Sequence, residues 1–225
     1  MSTSWDVAAL RRHIVALRKG SAELARVLDS ICRYVDIFQY HLVLARDAMK
    51  AVVVVDDPHR IENTKYVLGL SEKQKEYALA KVASEANILG CIHSTRALLD
   101  VFAFLVNGLL LGTCIPASKC DIRSVAVALP DSPLKRRLQE LLGSTWFAYL
   151  SAFVNTAKHR QLVPHAFWVS FESADVGIRL DGFEYNGVAY SSLSVDDLLR
   201  GIIEVQRAVV DSGKLLNEAA FERTT

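Results

Sequence analysis

The sequence predicts a mainly α protein, an antiparallel helical bundle with a small antiparallel β-meander set before a C-terminal helix. Three observations lead there. Apolar residues recur at helical spacing from Val7 up to Val154. After Pro164 the period shortens to two, with Phe167, Val169 and Phe171 alternating with polar or exposed-type neighbours. Asn186-Gly187 then lies between Phe183-Glu184-Tyr185 and Val188-Ala189-Tyr190, a strong two-residue hairpin signal. A single domain over 1–225 is expected, with the bundle at 5–163, the meander at 166–191 and the last helix at 194–220. The 225 residues are 51% hydrophobic, which supports one substantial core or two small ones and argues against disorder.

In chain order, Asp6 to Lys19 reads as an amphipathic helix, with Val7, Leu10, Ile14 and Leu17 on one face and Arg11, Arg12 and Arg18 opposite. Gly20 ends it and Ser21 opens the next, whose apolar set begins at Leu24, Val27 and Leu28 and continues as far as Val55. Asp56-Asp57-Pro58 stops that helix, and a polar loop is expected from Pro58 to Leu70. Ser71 caps a third long helix, with Gln74 at the capping-box position, and the pattern continues to Leu111 with a kink near Gly90. A loop over Gly112–Lys119 leads to a short helix over Asp121–Leu129. Asp131-Ser132-Pro133 opens another, with proline at an early helical position. Gly143-Ser144 separates it from an apolar helix that starts near Trp146 and ends just beyond Arg160, before Pro164. Ser194-Val195-Asp196-Asp197 starts the final helix, with Leu198, Leu199, Ile202 and Val205 in its apolar set.

Composition excludes several classes of function. A net charge of +1 gives no global basic field, so any nucleic acid contact must use a local patch. The most apolar run, Val101 to Leu111, is shorter than the roughly 20 residues that span a bilayer, and a buried core helix without membrane contact is expected. The N-terminus lacks the basic start and apolar stretch of a signal peptide, which makes a cytoplasmic location the expectation. Cys32, Cys91, Cys114 and Cys120 form no CxxC pair; the first two read as core thiols, and a bridge between the last two is not expected in a reducing compartment. The six histidines form no HxH or HxxxH, and neither a metal nor a cofactor is expected. Nor do the glycines or serines match a phosphate-binding loop or a nucleophile elbow. The sheet aromatics are potential base-stacking groups, although Phe167 and Phe171 are expected to pack the sheet onto a helix.

Two polar constellations remain. In the long third helix His93, Arg96 and Asp100 are spaced three and four apart, so they share a face. An Arg96–Asp100 pair is expected there, either as a structural strut or as a supporting shell for a site. The second lies in Asn155-Thr156-Ala157-Lys158-His159-Arg160. Asn155 and His159 are one turn apart on one face, with Lys158 and Arg160 beside them. Such cations complement the negative end of a helix dipole. A histidine beside phosphate-holding cations is also what metal-free RNA cleavage requires, the imidazole moving the proton and the cation stabilising the phosphorane.

This segment and its helical context resemble the HEPN domain (higher eukaryotes and prokaryotes nucleotide-binding). Many members of that superfamily are metal-independent ribonucleases of toxin–antitoxin, abortive-infection and CRISPR-associated systems. Their motif is an arginine, then commonly Asn, Asp or His, then a few residues and a histidine. Asn155 and His159 match the last two positions, and Val154 stands where the arginine belongs. The likeness covers the helical part, roughly residues 20–163. It implies His159 as acid/base, Arg160 and Lys158 as phosphate cations, and Asn155 as the orienting group. Arg96, Asp100 and His93 would support them, in a homodimer with RNA as ligand and an antitoxin or other protein as partner. The alternative is a catalytically inactive helical module that binds a protein or a small ligand.

Overall fold

The computed structural model describes residues 4–17, 20–54, 57, 59, 61–170 and 176–223, apart from the side chain of Met49. Phe171 and the Val55, Asp56 and Pro58 of the expected helix stop lie outside these residues. The protein is mainly α, with a small antiparallel strand set before the C-terminal helix. Its helices are α1 (Val7–Ala16), α2 (Ser21–Lys50), α3 (Ile61–Val67), α4 (Gln74–Leu110), α5 (Ile122–Ala128), α6 (Pro133–Leu142), α7 (Thr145–His159) and α8 (Val195–Glu222).

The strands are β1 (His165–Val169), β2 (Val176–Leu180), β3 (Phe183–Tyr185), β4 (Val188–Tyr190) and β5 (Leu193–Ser194). They make two ladders. β2 pairs with β1 on one side and β5 on the other, while among the described residues β3 and β4 pair only with each other. The hairpin is thus an excursion between β2 and β5. Asn186 and Gly187 both have positive φ, 51° and 76°, as a tight primed turn requires.

The chain divides into two compact units. One comprises residues 1–36, 94–150 and 202–225; the other comprises 37–93 and 151–201. Helices α2, α4, α7 and α8 each supply residues to both, so the units do not follow the sequence order of bundle, sheet and last helix.

In the first unit Asp6 caps α1 by accepting the Ala9 amide at 2.8 Å. Leu10 and Ile14, the apolar stripe of α1, are fully buried together with Leu28, Leu99, Phe102 and Leu105. Trp5 donates its indole N–H to Asn217 Oδ1 at 2.9 Å, and Asn217 donates to Asp6 O at 2.8 Å, which joins the chain start to α8. Asp121 caps α5 in a full capping box with Ser124, and Ser132 caps α6 ahead of Pro133. Each such cap contributes about 1 kcal/mol. Arg96 and Asp100 form the expected i,i+4 ion pair of α4, with side chains 26% and 44% exposed. A pair in that setting, within one helix, contributes only tenths of a kcal/mol, about 0.3–0.5.

In the second unit the end of α2 departs from expectation. The helix stops at Lys50, not Val55; Ala51 and Val52 form a turn, and Val53-Val54 have no regular secondary structure. β-branched valines lose side-chain freedom in a helix, and Asn63 offers the Val54 backbone better partners. The Asn63 side chain is fully buried, accepts the Val54 amide at 3.1 Å and donates to Val54 O at 2.9 Å. Asn63 belongs to α3, a helix that interrupts the stretch expected to be loop. Asp57 accepts the amides of Ile61 at 2.9 Å and Asn63 at 3.0 Å, so the polar residues of this stretch start a helix.

The start of α4 is also simpler than a capping box. Ser71 Oγ accepts the Lys73 amide at 3.2 Å, but the Gln74 side chain turns away to donate to Tyr66 O at 3.3 Å. Tyr66, Tyr77 and Phe167 cluster edge to face and stacked, which fulfils the packing expected of Phe167. At Gly90 a Cβ would stand 2.6 Å from the His41 ring, so the glycine there admits α2 close to α4. All four cysteines are free. Cys91 is a core thiol whose pKa burial pushes up to about 12, whereas Cys32 is half-buried and not a core residue. By length and composition α4 is apolar enough to cross a membrane, but 56% of its most apolar window is buried inside the protein.

Candidate nucleic-acid interface

Helix α7 starts at Ser144, whose hydroxyl donates to Leu141 O at 2.8 Å and accepts the Phe147 amide at 3.2 Å. Its apolar residues Phe147, Leu150, Phe153 and Val154 are all buried. Val154, at the position of the family's arginine, is 4% exposed. That position faces the interior, and an unpaired guanidinium there would be strongly penalised.

The polar end of the helix belongs to the second unit. Lys158, His159 and Arg160 are exposed, and Asn155 is half-buried. The helix ends at His159, one residue earlier than expected, with the Arg160 amide still donating to Thr156 O at 2.9 Å. Asn155 donates its amide to Ser151 O, one turn back, at 2.9 Å. This bond turns the side-chain amide back onto its own helix. Arg160 Nη1 donates to Glu184 O at 3.3 Å, and its guanidinium carbon lies 5.2 Å from the centroid of the Tyr185 ring. The arginine is therefore engaged by the β3–β4 hairpin. Among the described residues the His159 and Lys158 side chains make no hydrogen bond or ion pair.

His93 on α4 joins this end. Burial, and then the neighbouring Lys158 charge, hold its pKa below the usual histidine value, so it stays neutral beside the lysine. The expected site residues of this unit thus separate into two groups. Lys158, His159 and His93 present a lysine cation and two imidazoles, whereas Asn155 and Arg160 are bonded to neighbouring backbone. Arg96 and Asp100 pair with each other in the first unit. Among the described residues no cluster of three or more His, Cys, Asp or Glu could hold a metal ion.

Two features escaped sequence reasoning. His165 is buried, with Nδ1 3.2 Å from Val163 O and 3.5 Å from Glu85 Oε1, and its pKa is lowered by burial against the opposing pull of Glu85. Its place at the first position of β1, two residues from Phe167 on the buried face, is the signal that could have found it. The other is a basic cavity lined by Arg46, Lys50, Arg179 and Arg200. These four residues come from three elements and share no motif, so spacing gave no sign of them. Comparison with family models, curated proteins and solved structures finds no match to the chain.

Proposed function

We propose that this chain is a HEPN-like module that binds RNA at the end of α7, with His159 placed for metal-independent proton transfer on a bound phosphodiester. The observation that carries this reading is the exposed Lys158–His159 pair, bonded to nothing among the described residues, with His93 beside Lys158. A lysine supplies the phosphate contact that positions RNA, and an unengaged imidazole at the same helix end is free to take or give a proton. In this reading two copies face each other across a two-fold axis and join their α7 ends in one cleft. The setting is a cytoplasmic defence or toxin–antitoxin system, with an antitoxin or other protein as partner.

A second reading, a catalytically silent helical module that binds a protein or small ligand, is favoured by Asn155 and Arg160. Each already has a donor engaged by a backbone carbonyl, Asn155 by Ser151 O and Arg160 by Glu184 O. Incubation of RNA with wild type, His159→Ala and Arg160→Ala in excess chelator separates the two. Cleavage by wild type and its loss in folded His159→Ala is the result expected for the first reading. RNA left uncut and unbound by wild type would transfer the assignment to the second.

A further inference from the structure

The basic cavity of the second unit has no part in the RNA reading. Its volume is about 600 Å³, within the range of roughly 300–1,000 Å³ common for small-molecule sites. Arg46 and Lys50 come from the last turn and a half of α2, Arg179 from β2 and Arg200 from the second turn of α8. Among the described residues of the lining Asp196 and Asp197 are the opposing carboxylates, so four cations against two anions leave two positive charges in excess.

The pairing inside the cavity leaves that excess in place. Asp197 is engaged already, accepting from Ser194 Oγ at 2.6 Å and pairing with Arg200 at 3.2 Å. Among the described residues Lys50 has only Asp47, at 3.8 Å with both side chains well exposed, a contact that holds it weakly. Arg46 makes no hydrogen bond or ion pair among the described residues. Arg179 is the most informative of the four. Its guanidinium carbon lies 4.5 Å from the centroid of the Trp168 ring, and its Nε is buried without a hydrogen-bond partner among the described residues. A buried donor left unpaired calls for an acceptor, and a guanidinium held against indole is preorganised to bind one.

We propose that this cavity binds a small molecule carrying a phosphate monoester. A phosphate monoester near neutral pH is close to a dianion, matching the two excess charges, and its oxygens suit the arginine fork. The first turn of α8 lines the same cavity and adds the positive end of a 28-residue helix. The volume exceeds what a phosphate alone fills, and Trp168, Val53, Ile178 and Leu199 give an apolar wall for an organic remainder. A concavity of this size encloses one small ligand; it does not track a strand of nucleic acid.

Titration calorimetry on the full chain at low ionic strength, with phenyl phosphate, inorganic phosphate and phenol as probes, tests the proposal. Phenyl phosphate is expected to bind more tightly than inorganic phosphate, and phenol not to bind. Arg179→Gln and Arg46→Gln should each weaken phenyl phosphate by about tenfold, as loss of a charge-assisted phosphate contact does. Arg46 is exposed and unpaired, so its variant tests the site even where Arg179→Gln impairs folding. Lys158→Gln, at the α7 end, should leave phenyl phosphate binding unchanged. Absence of binding at millimolar probe, affinity unchanged in Arg46→Gln, or loss in Lys158→Gln instead would overturn the proposal. Displacement of phenyl phosphate by short RNA, at the same arginines, would overturn it in favour of a nucleic-acid groove.

Discussion

Val154 connects the family resemblance to the packing of the second unit. Its side chain is buried among the residues of α7 that build the core, one position before the Asn155 that matches the motif. Restoring the motif arginine by Val154→Arg should therefore not restore a site. The larger, charged side chain has to enter the core unpaired or displace α7. The expected loss is on the order of 3 kcal/mol in urea unfolding, from burial of an unpaired charge together with overpacking. A variant as stable as wild type would mean that position 154 can turn outward, and the family's full motif would then be accessible to this fold. At the same scale the sequence grouped Asn155, Lys158, His159 and Arg160 as one cluster, without separating the engaged side chains from the others. The helical spacing placed them correctly, but no pattern in α7 announces that Arg160 reaches Glu184 and Tyr185, which lie across a β-hairpin in sequence.

Among the elements, long helices were legible because their apolar period repeats over many turns: α4 was expected over Ser71–Leu111 and runs Gln74–Leu110. The starts of two short helices were legible as well, at Asp121 and at Asp131-Ser132-Pro133. The region from Val52 to Leu70 was not, because its structure depends on a non-local exchange. Asn63 satisfies the Val54 backbone, which ends α2 and starts α3 together, and a helix of seven residues is too short to show a period. The close approach of α2 to α4 at Gly90 is likewise invisible in either helix alone. Gly90→Ala would gain helix propensity of about 1 kcal/mol. Its Cβ would meet the His41 ring at 2.6 Å, where three ring atoms including Cγ crowd the site, and His41 is held by Asn87 Oδ1 at 2.8 Å. Overpacking of about 1–3 kcal/mol should prevail, so a net loss of about 1 kcal/mol or more in thermal or urea unfolding is expected. A stabilised Gly90→Ala protein would show that His41 moves aside freely.

For the molecule as a whole, buried titratable groups set how stability varies with pH. Burial lowers the folded pKa of His93 and His165, so their neutral forms are favoured in the fold. Their contribution is complete above the unfolded value near 6.5 and is lost as pH falls through the lower folded values. Burial would raise the carboxyl pKa of Asp57 and Asp121, but helix-start donors outweigh it, the amides of Asn63 and Ile61 at Asp57 and the Ser124 amide and hydroxyl at Asp121. These depressed groups stabilise the protein above about pH 4 and cease to do so as pH falls through their folded values. The melting temperature should accordingly fall in two stages on acidification. Asp121→Asn, which keeps an N-cap but removes the titration, should flatten the second stage and leave the first. A single transition below pH 4, with no loss between 7 and 5, would contradict the role given to the two histidines.

The claim on which the functional reading rests is that the end of α7 holds RNA through Lys158, with His159 beside it for proton transfer. Its most direct measurement is the affinity of wild type, Lys158→Gln and His159→Ala for single-stranded RNA across a salt series. Wild type is expected to bind with an affinity that falls as salt rises, and Lys158→Gln to bind more weakly with a salt slope reduced by about one unit or slightly less. His159→Ala should retain binding while losing any cleavage. An RNA affinity and salt slope unaltered by Lys158→Gln, or no RNA binding at any salt, would contradict the reading of α7 as a nucleic-acid interface.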